Sequence, residues 1–236
     1  MARVEPVVPP QLYRYRSLTR GNDALRQEID AIRRSYLWCS EFTKMNDPME
    51  GFYHPTLKLR ADMNYKKIAR KITDLKSILG IACFSETKEN VLMWTHYAGN
   101  YSGICLAYST DALLNGLPDS VSLVRVAYGD DPPPLSPTDV KSYERAARQI
   151  LSQKKYNWSY EREWRVLGPR GAVRIDAPSP ITHVYFGSRV SSRDRHEVLA
   201  RLQGTAIEAY AMKVHAYEHT WEPVNQAARK AAAQHS

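Results

Sequence analysis

Hydrophobic and polar residues alternate at several points along the chain, and each alternation predicts a strand. In QLYRYRSL (11–18), Leu12, Arg14 and Arg16 fall on one face and Tyr13, Tyr15 and Ser17 on the other. YLWCSEF (36–42), VSLVRVAY (121–128), ITHVYFG (181–187) and AIEAYAMKVH (206–215) are also predicted strands. Elsewhere the apolar spacing is helical. Leu25, Ile29 and Ile32 mark an amphipathic helix over Ala24–Ser35, with Asn22 or Asp23 as its cap. Ile68, Ile72, Leu75 and Leu79 mark a second helix over Lys58–Leu79, and Ala146, Ile150 and Leu151 a long one over Thr138–Lys155. Shorter helices are predicted over Thr110–Asn115 and Ser191–Leu202, the latter with a serine cap. YNWSYEREWRVL (156–167) predicts another strand, on which Glu161, Glu163 and Arg165 share one face and Arg162, Trp164 and Val166 the other.

The densest stretch is Ile81–Leu106, which reads as strand, loop, short helix, turn, strand. Asn90 stands where a helix cap belongs, and Val91, Leu92, Trp94 and Tyr97 recur at helical spacing before Gly99 and Gly103 close the segment. Strands and helices are mixed without the βαβ rhythm of a parallel sheet. The pattern therefore predicts one α+β domain over 11–222 with a mostly antiparallel or split sheet flanked by helices. A proline-rich, flexible lead-in over 1–10 precedes it, and an alanine-rich helical or frayed tail over 223–236 follows.

Composition narrows the setting. The 236 residues contain 43% hydrophobic residues, enough for a sizeable core, but no run long enough for a membrane-spanning helix and no secretory signal. Cys39, Cys83 and Cys105 are odd in number and sit in apolar runs, which points to reduced thiols in a cytoplasmic protein. The formal charge of +8 is compatible with a polyanionic partner. Its cations are spread over Arg14–Arg34, Lys58–Lys76, Arg145–Lys155, Arg162–Arg174 and Arg189–Arg201.

The sharpest chemical feature is the pair Glu161 and Glu163. Two carboxylates on one pleat face repel each other, and such a pair can orient a sugar hydroxyl or stabilise an oxocarbenium ion. Neutralisation by Arg162 and Arg165 is the structural alternative. Arg14 and Arg16 could clamp a phosphate. His96 suits a general acid or a hydrogen-bonded core histidine, and Trp94 suits the core better than a stacking platform. Asn46 and Asp47 precede Pro48 in a turn-forming loop and suit either backbone capping or a polar cleft. No CxxC, HExxH, phosphate-binding loop, GxGxxG or GxSxG occurs, so no metal site is expected.

LYRYRSL, LWCSEFTKMNDPMEG, CFSETKENVLMWTHYAGNYSGICLAYS and WSYEREWRV together resemble a bacterial family of domains of unknown function, number 2971. Their order is similar to that of the ADP-ribosyltransferase superfamily, which implies a split antiparallel sheet and NAD as substrate. On that resemblance Arg14 or Arg16 would contact the NAD diphosphate. Ser40 or Tyr97 would take the second-strand role, Glu163 would polarise the ribose 2′-hydroxyl, and Glu161 would position the acceptor. Asn46, Asp47, Trp94 and His96 would complete the NAD site. The expected function is NAD-dependent ADP-ribosyl transfer or NAD glycohydrolysis in a toxin or phage-defence setting, with a nucleic-acid acceptor and no membrane partner. The alternatives are a non-catalytic nucleotide- or polyanion-binding module, and a nuclease using His96, Glu161 and Glu163.

Overall fold

The period-two stretches become strands and the 3.6-period stretches helices, in an α+β arrangement with mixed, mostly antiparallel pairing. The computed structural model describes residues 8–18, 23–177 and 180–224. In chain order the elements begin β1 (Gln11–Arg16), α1 (Ala24–Arg33), β2 (Tyr36–Glu41), β3 (His54–Pro55), α2 (Leu57–Arg60), α3 (Tyr65–Ile78) and β4 (Leu79–Ser85). Next come α4 (Val91–His96), β5 (Ile104–Ser109), α5 (Thr110–Gly116), β6 (Ser122–Arg125), β7 (Ala127–Gly129) and β8 (Pro134–Leu135). They finish with α6 (Tyr143–Ile150), β9 (Gln153–Lys155), β10 (Glu163–Pro169), β11 (Gly171–Arg174), β12 (Ile181–Phe186), α7 (Ser192–Arg201), β13 (Glu208–His215) and β14 (Glu218–Pro223).

These elements group into two compact units. The first comprises the residues up to Tyr36, Phe84–Leu117 and those from Arg174 onward; the second comprises Leu37–Cys83 and Pro118–Val173. In the first, strands run in the order β1-β5-β12-β13-β14. All neighbours are antiparallel except β12 and β13, whose parallel pairing α7 makes possible as the crossover helix. Ser191 caps α7 by accepting from the Asp194 amide at 3.0 Å, as expected. Cys105 and Ala107 of β5 lie opposite Tyr15 and Tyr13 on one side and Tyr185 and His183 on the other. Small side chains in the middle of the sheet thus leave the aromatic rings of the flanking strands free to meet.

In the second unit the strands run β11-β2-β4-β10-β6, with the short pairs β3-β8 and β7-β9 beside them. Ile68 and Ile72 of α3 pack with Leu59, Leu135, Ala146 and Ile150, while Leu79, Ile81, Ala147, Leu151 and Leu167 form an adjoining core.

Four element expectations need correction. The helix expected over Lys58–Leu79 is two helices, because the chain turns at 61–64, where Asp62 Oδ1 accepts from the Asn64 amide at 2.7 Å. The long helix expected over Thr138–Lys155 is only α6, started by Ser142 Oγ accepting from the Arg145 amide; a short 3₁₀ turn precedes it and β9 follows. The strand over 121–128 breaks between β6 and β7. The strand over 156–167 is a 3₁₀ turn, Tyr156–Glu161, followed by β10. Asp23 occupies the cap position of α1 without a side-chain bond, and Asn22 lies outside the described residues, as do 1–7 of the lead-in and 225–236 of the tail.

Candidate functional sites

The second unit gathers five charged side chains with almost no solvent exposure. Glu161 ends the 3₁₀ turn, Arg162 adopts a left-handed conformation (φ 44°), and Glu163 opens β10. That single inverted residue, rather than a shared pleat face, brings both carboxylates to one cation. Lys154 Nζ lies 2.7 Å from Glu161 Oε2 and 3.5 Å from Glu163 Oε2. Arg165, two residues along β10 on the same face, donates from Nε and Nη2 to the two oxygens of Glu163 at 2.8 and 3.0 Å. Glu50 completes the group, with Arg165 Nη1 at 2.8 Å and Lys154 Nζ at 3.4 Å, although neither contact has hydrogen-bond geometry. Arg165 also donates to the Leu151 carbonyl at 2.7 Å, and Tyr128 Oη accepts from the Glu163 amide at 2.8 Å.

The electrostatics follow from this packing. Burial pushes Glu163 upward, but the nearby Arg165 and Lys154 charges outweigh it and hold the carboxyl well below its usual range, at about 2. Burial likewise opposes the charge on Lys154 and Arg165, yet the carboxylates around them raise both above their ordinary values. Burial, then the Glu163 charge, raises the Cys83 thiol well above its ordinary value. Glu163, Lys154 and Arg165 therefore remain ionised. Beside Lys154 lies a cavity of about 170 Å³ lined by residues that include Met49, Phe52, Asp130, Asp131 and Lys155. It is smaller than the few hundred Å³ that enclose a drug-sized ligand.

The sequence-derived candidates divide between the units. Ser40, Asn46, Asp47, Glu161 and Glu163 lie in the second; Arg14, Arg16, Trp94, His96 and Tyr97 lie in the first. Asp47 is buried and caps its own turn, accepting from the Met49 amide at 2.9 Å. Ser40 pairs with Ile81 on the β2–β4 ladder. Arg14 is buried with its guanidinium 5.8 Å from the Phe84 ring centre, and Arg16 is spent on Glu28, Nε to Oε1 at 2.6 Å. Trp94 is fully buried, edge-on to Tyr15, with its indole N–H donating to the Lys88 carbonyl at 2.7 Å. His96 is exposed and 6.4 Å from the half-buried Tyr97 ring.

The first unit presents a second constellation that the sequence reading missed. Tyr13 of β1, His183 and Tyr185 of β12, Tyr210 of β13, and His219 and Trp221 of β14 form a continuous run of rings on one sheet face. Tyr13 and Tyr185 are 6.5 Å apart, and Tyr185 and Tyr210 stack at 5.4 Å and 22°. His183 lies 5.8 Å from both tyrosines, and Trp221 meets Tyr185 at 5.0 Å. Tyr185 is buried and acts as the floor; Tyr13, His183, Tyr210, His219 and Trp221 are half-buried, each leaving part of its ring open. Lys88 Nζ sits 5.1 Å from the Tyr185 ring centre and 5.4 Å from that of Trp221. Glu89 accepts from Trp221 Nε1 at 3.1 Å and contacts His219 Nε2 at 2.8 Å, and Glu208 accepts from the Tyr210 hydroxyl at 2.7 Å. The signal lay in the period-two aromatics of ITHVYF, EAYAM and EHTWEP, the last beyond the final strand expected from the sequence.

Residues 93–166 match the model of a family described as a protein of unknown function, DUF2971. The matched segment contains the last four residues of α4, the whole of β5 and α5, and the Glu161–Arg165 cluster residues. No curated protein and no solved structure matches the chain. Among the described residues no helix is long and apolar enough to cross a membrane, and no group of three histidine, cysteine or carboxylate side chains is placed to hold a metal ion.

Proposed function

We propose that the chain is a nucleotide-binding protein whose ligand stacks its base on the aromatic sheet face of the first unit. The supporting observation is the ring ladder itself, with half-open Tyr13, His183, Tyr210 and Trp221 anchored on the buried Tyr185 across neighbouring strands. Every base has a π-face, so stacking on such rings is strong and tolerant of base identity. Glu89 and Glu208 offer acceptors for the amino and imino groups of a base edge, and Lys88 and the two histidines offer partners for phosphate. The test is equilibrium binding of ribonucleotides, followed by quenching of tryptophan fluorescence. Stacking is worth about 1–3 kcal/mol per base, so Trp221→Ala and Tyr210→Ala each lower affinity roughly tenfold or more. Equal affinity in wild type and both variants would defeat the reading.

A second reading is NAD-dependent ADP-ribosyl transfer or NAD glycohydrolysis, NAD being itself a dinucleotide. What favours it is the convergence of ionised Glu163 and adjacent Glu161 on one lysine, the Glu-x-Glu arrangement that the resemblance calls for. For Glu163 to polarise a ribose hydroxyl it would have to exchange a donor from Arg165 for the substrate. Incubation with labelled NAD plus RNA, DNA and lysate tests this. Nicotinamide release lost in folded Glu163→Gln supports it, and no release or label transfer with any acceptor removes it. For metal-dependent nuclease action the described residues supply no three-donor set.

A further inference from the structure

The cations of this chain are spread along its length, but their compensation is not. Lys58, Arg60, Lys66, Lys67, Arg70 and Lys71 are six of the 33 Lys and Arg residues, and the stretch between the first and last holds only Asp62 of the 25 acidic residues. Five of the eight excess positive charges therefore lie within Lys58–Lys71. All six side chains are exposed, and none makes an ion pair among the described residues. Asp62 is turned onto the Asn64 amide. Arg16, Arg148, Lys154 and Arg165, by contrast, each engage a carboxylate.

The array is also held rigid. Ile68 and Ile72 fix α3 against Leu59 and α6, so Lys66, Lys67, Arg70 and Lys71 project from two successive turns of an anchored helix. Residues three and four apart on a helix have side chains about 5–6 Å apart, so the charges form a row. A row of unpaired cations suits a polyanion, and two chemistries offer one: a phosphodiester backbone and an anionic lipid surface. A helix that lies in a membrane interface inserts its apolar stripe. The apolar stripe of α3 is already buried in the core of the unit, so the outward side of its first two turns carries Lys66, Lys67, Arg70 and Lys71, with Asp74 and Ile78 exposed further along. Leu57 and Met63 are exposed beside the row as single side chains rather than a stripe.

We infer that the outward face of α2 and α3 binds the phosphate backbone of a single-stranded polynucleotide. This inference rests on the base-stacking reading for the choice of single strand, and on the unpaired cations for the polymer. The two parts separate in one experiment. Binding of a labelled single-stranded RNA of about 20 nucleotides is measured by fluorescence anisotropy between 50 and 200 mM salt, values of the order that separate phosphate contacts. Each phosphate contact contributes about 0.7 to the slope of log affinity against log salt for single strands. The variant K66A/K67A/R70A/K71A, checked for an unchanged circular dichroism spectrum and melting temperature, is expected to lose about 3 from that slope and to bind at least about tenfold more weakly at the lowest salt. Trp221→Ala is expected to bind more weakly with the slope unchanged, and an abasic deoxyribose-phosphate oligomer to retain the slope difference. If the slope loss occurs while Trp221→Ala has no effect, the stacking reading fails and the backbone surface stands. If the wild type does not bind the RNA, or the quadruple variant matches it in affinity and slope, the inference is overturned. Binding to phosphatidylserine vesicles that the quadruple variant loses, without RNA binding, would assign the face to lipid instead.

Discussion

Glu163 shows how one side chain can be conspicuous in a sequence for the right reason and still be misplaced. The Glu-x-Glu spacing was legible, and so was Arg165 as a possible partner. What could not be read was Arg162, whose left-handed backbone sets the cluster although arginine has no preference for that region. Lys154 and Glu50 lie 7 and 111 residues from Glu161 in sequence, and no local pattern announces a contact of that range. The buried pair also has a clear consequence for stability. Removing one partner from such a pair costs about 3–5 kcal/mol because a charge is left uncompensated. Glu163→Gln should therefore lower the melting temperature at pH 7. The folded-state value of Glu163 is depressed, so the stability it supplies is complete above its ordinary value of 4.5 and is lost as pH falls toward about 2. The gap between wild type and variant in thermal melts should thus be full at pH 7 and shrink across that acid window. A gap independent of pH would mean that the Glu163 charge is not what the fold requires.

At the level of elements, patterns of period two were read most securely where both faces carry a decided preference. β1 emerged with its two faces as expected, and β12 and β13 emerged as strands close to their expected bounds. β14 was missed because its polar residues outnumber its apolar ones, as suits a strand at the end of the pairing order. The Lys58–Leu79 pattern was taken through the turn at 61–64 because Ala61-Asp62-Met63-Asn64 holds neither glycine nor proline to mark a break. The helix–turn–strand unit after β4 was recovered in outline, with Asn90 accepting from the Leu92 amide at 2.9 Å as its cap. Its turn is tighter than composition suggested: Gly99, Asn100 and Tyr101 all have positive φ. Gly103 follows, and a Cβ there would stand 2.2 Å from the Arg16 carbonyl oxygen and 2.8 Å from that of Ala98. Both obstacles are backbone and cannot swing away, so Gly103→Ala should destabilise the protein by about 2 kcal/mol or more, in the upper part of the roughly 1–3 kcal/mol that overpacking ordinarily costs. Chemical denaturation would measure it, and a loss below about 0.5 kcal/mol would show that β5 can shift to make room.

For the molecule as a whole, the α+β class and mostly antiparallel pairing were legible, because alternation and helical spacing report the class directly. The aromatic face and the uncompensated row on α2 and α3 were not. Each depends on which residues a fold leaves without partners, and that is decided by contacts far apart in sequence. Arg14 and Arg16 show the converse: two cations that look available for phosphate are consumed by Phe84 and Glu28.

The interleaving of the two units has a consequence for anyone who would cut the gene. One unit is threaded from three lengths of polypeptide and the other from two, so no single excision yields either intact. The family match at 93–166 begins inside one and ends inside the other. A peptide limited to those positions keeps β5 but has neither β1 nor β12 to flank it, and keeps only the first four residues of β10, without β4. Such a peptide should give the far-ultraviolet signature of a random chain and be digested rapidly by trypsin. Survival as a protease-resistant core would mean that the matched segment folds independently of the strands around it.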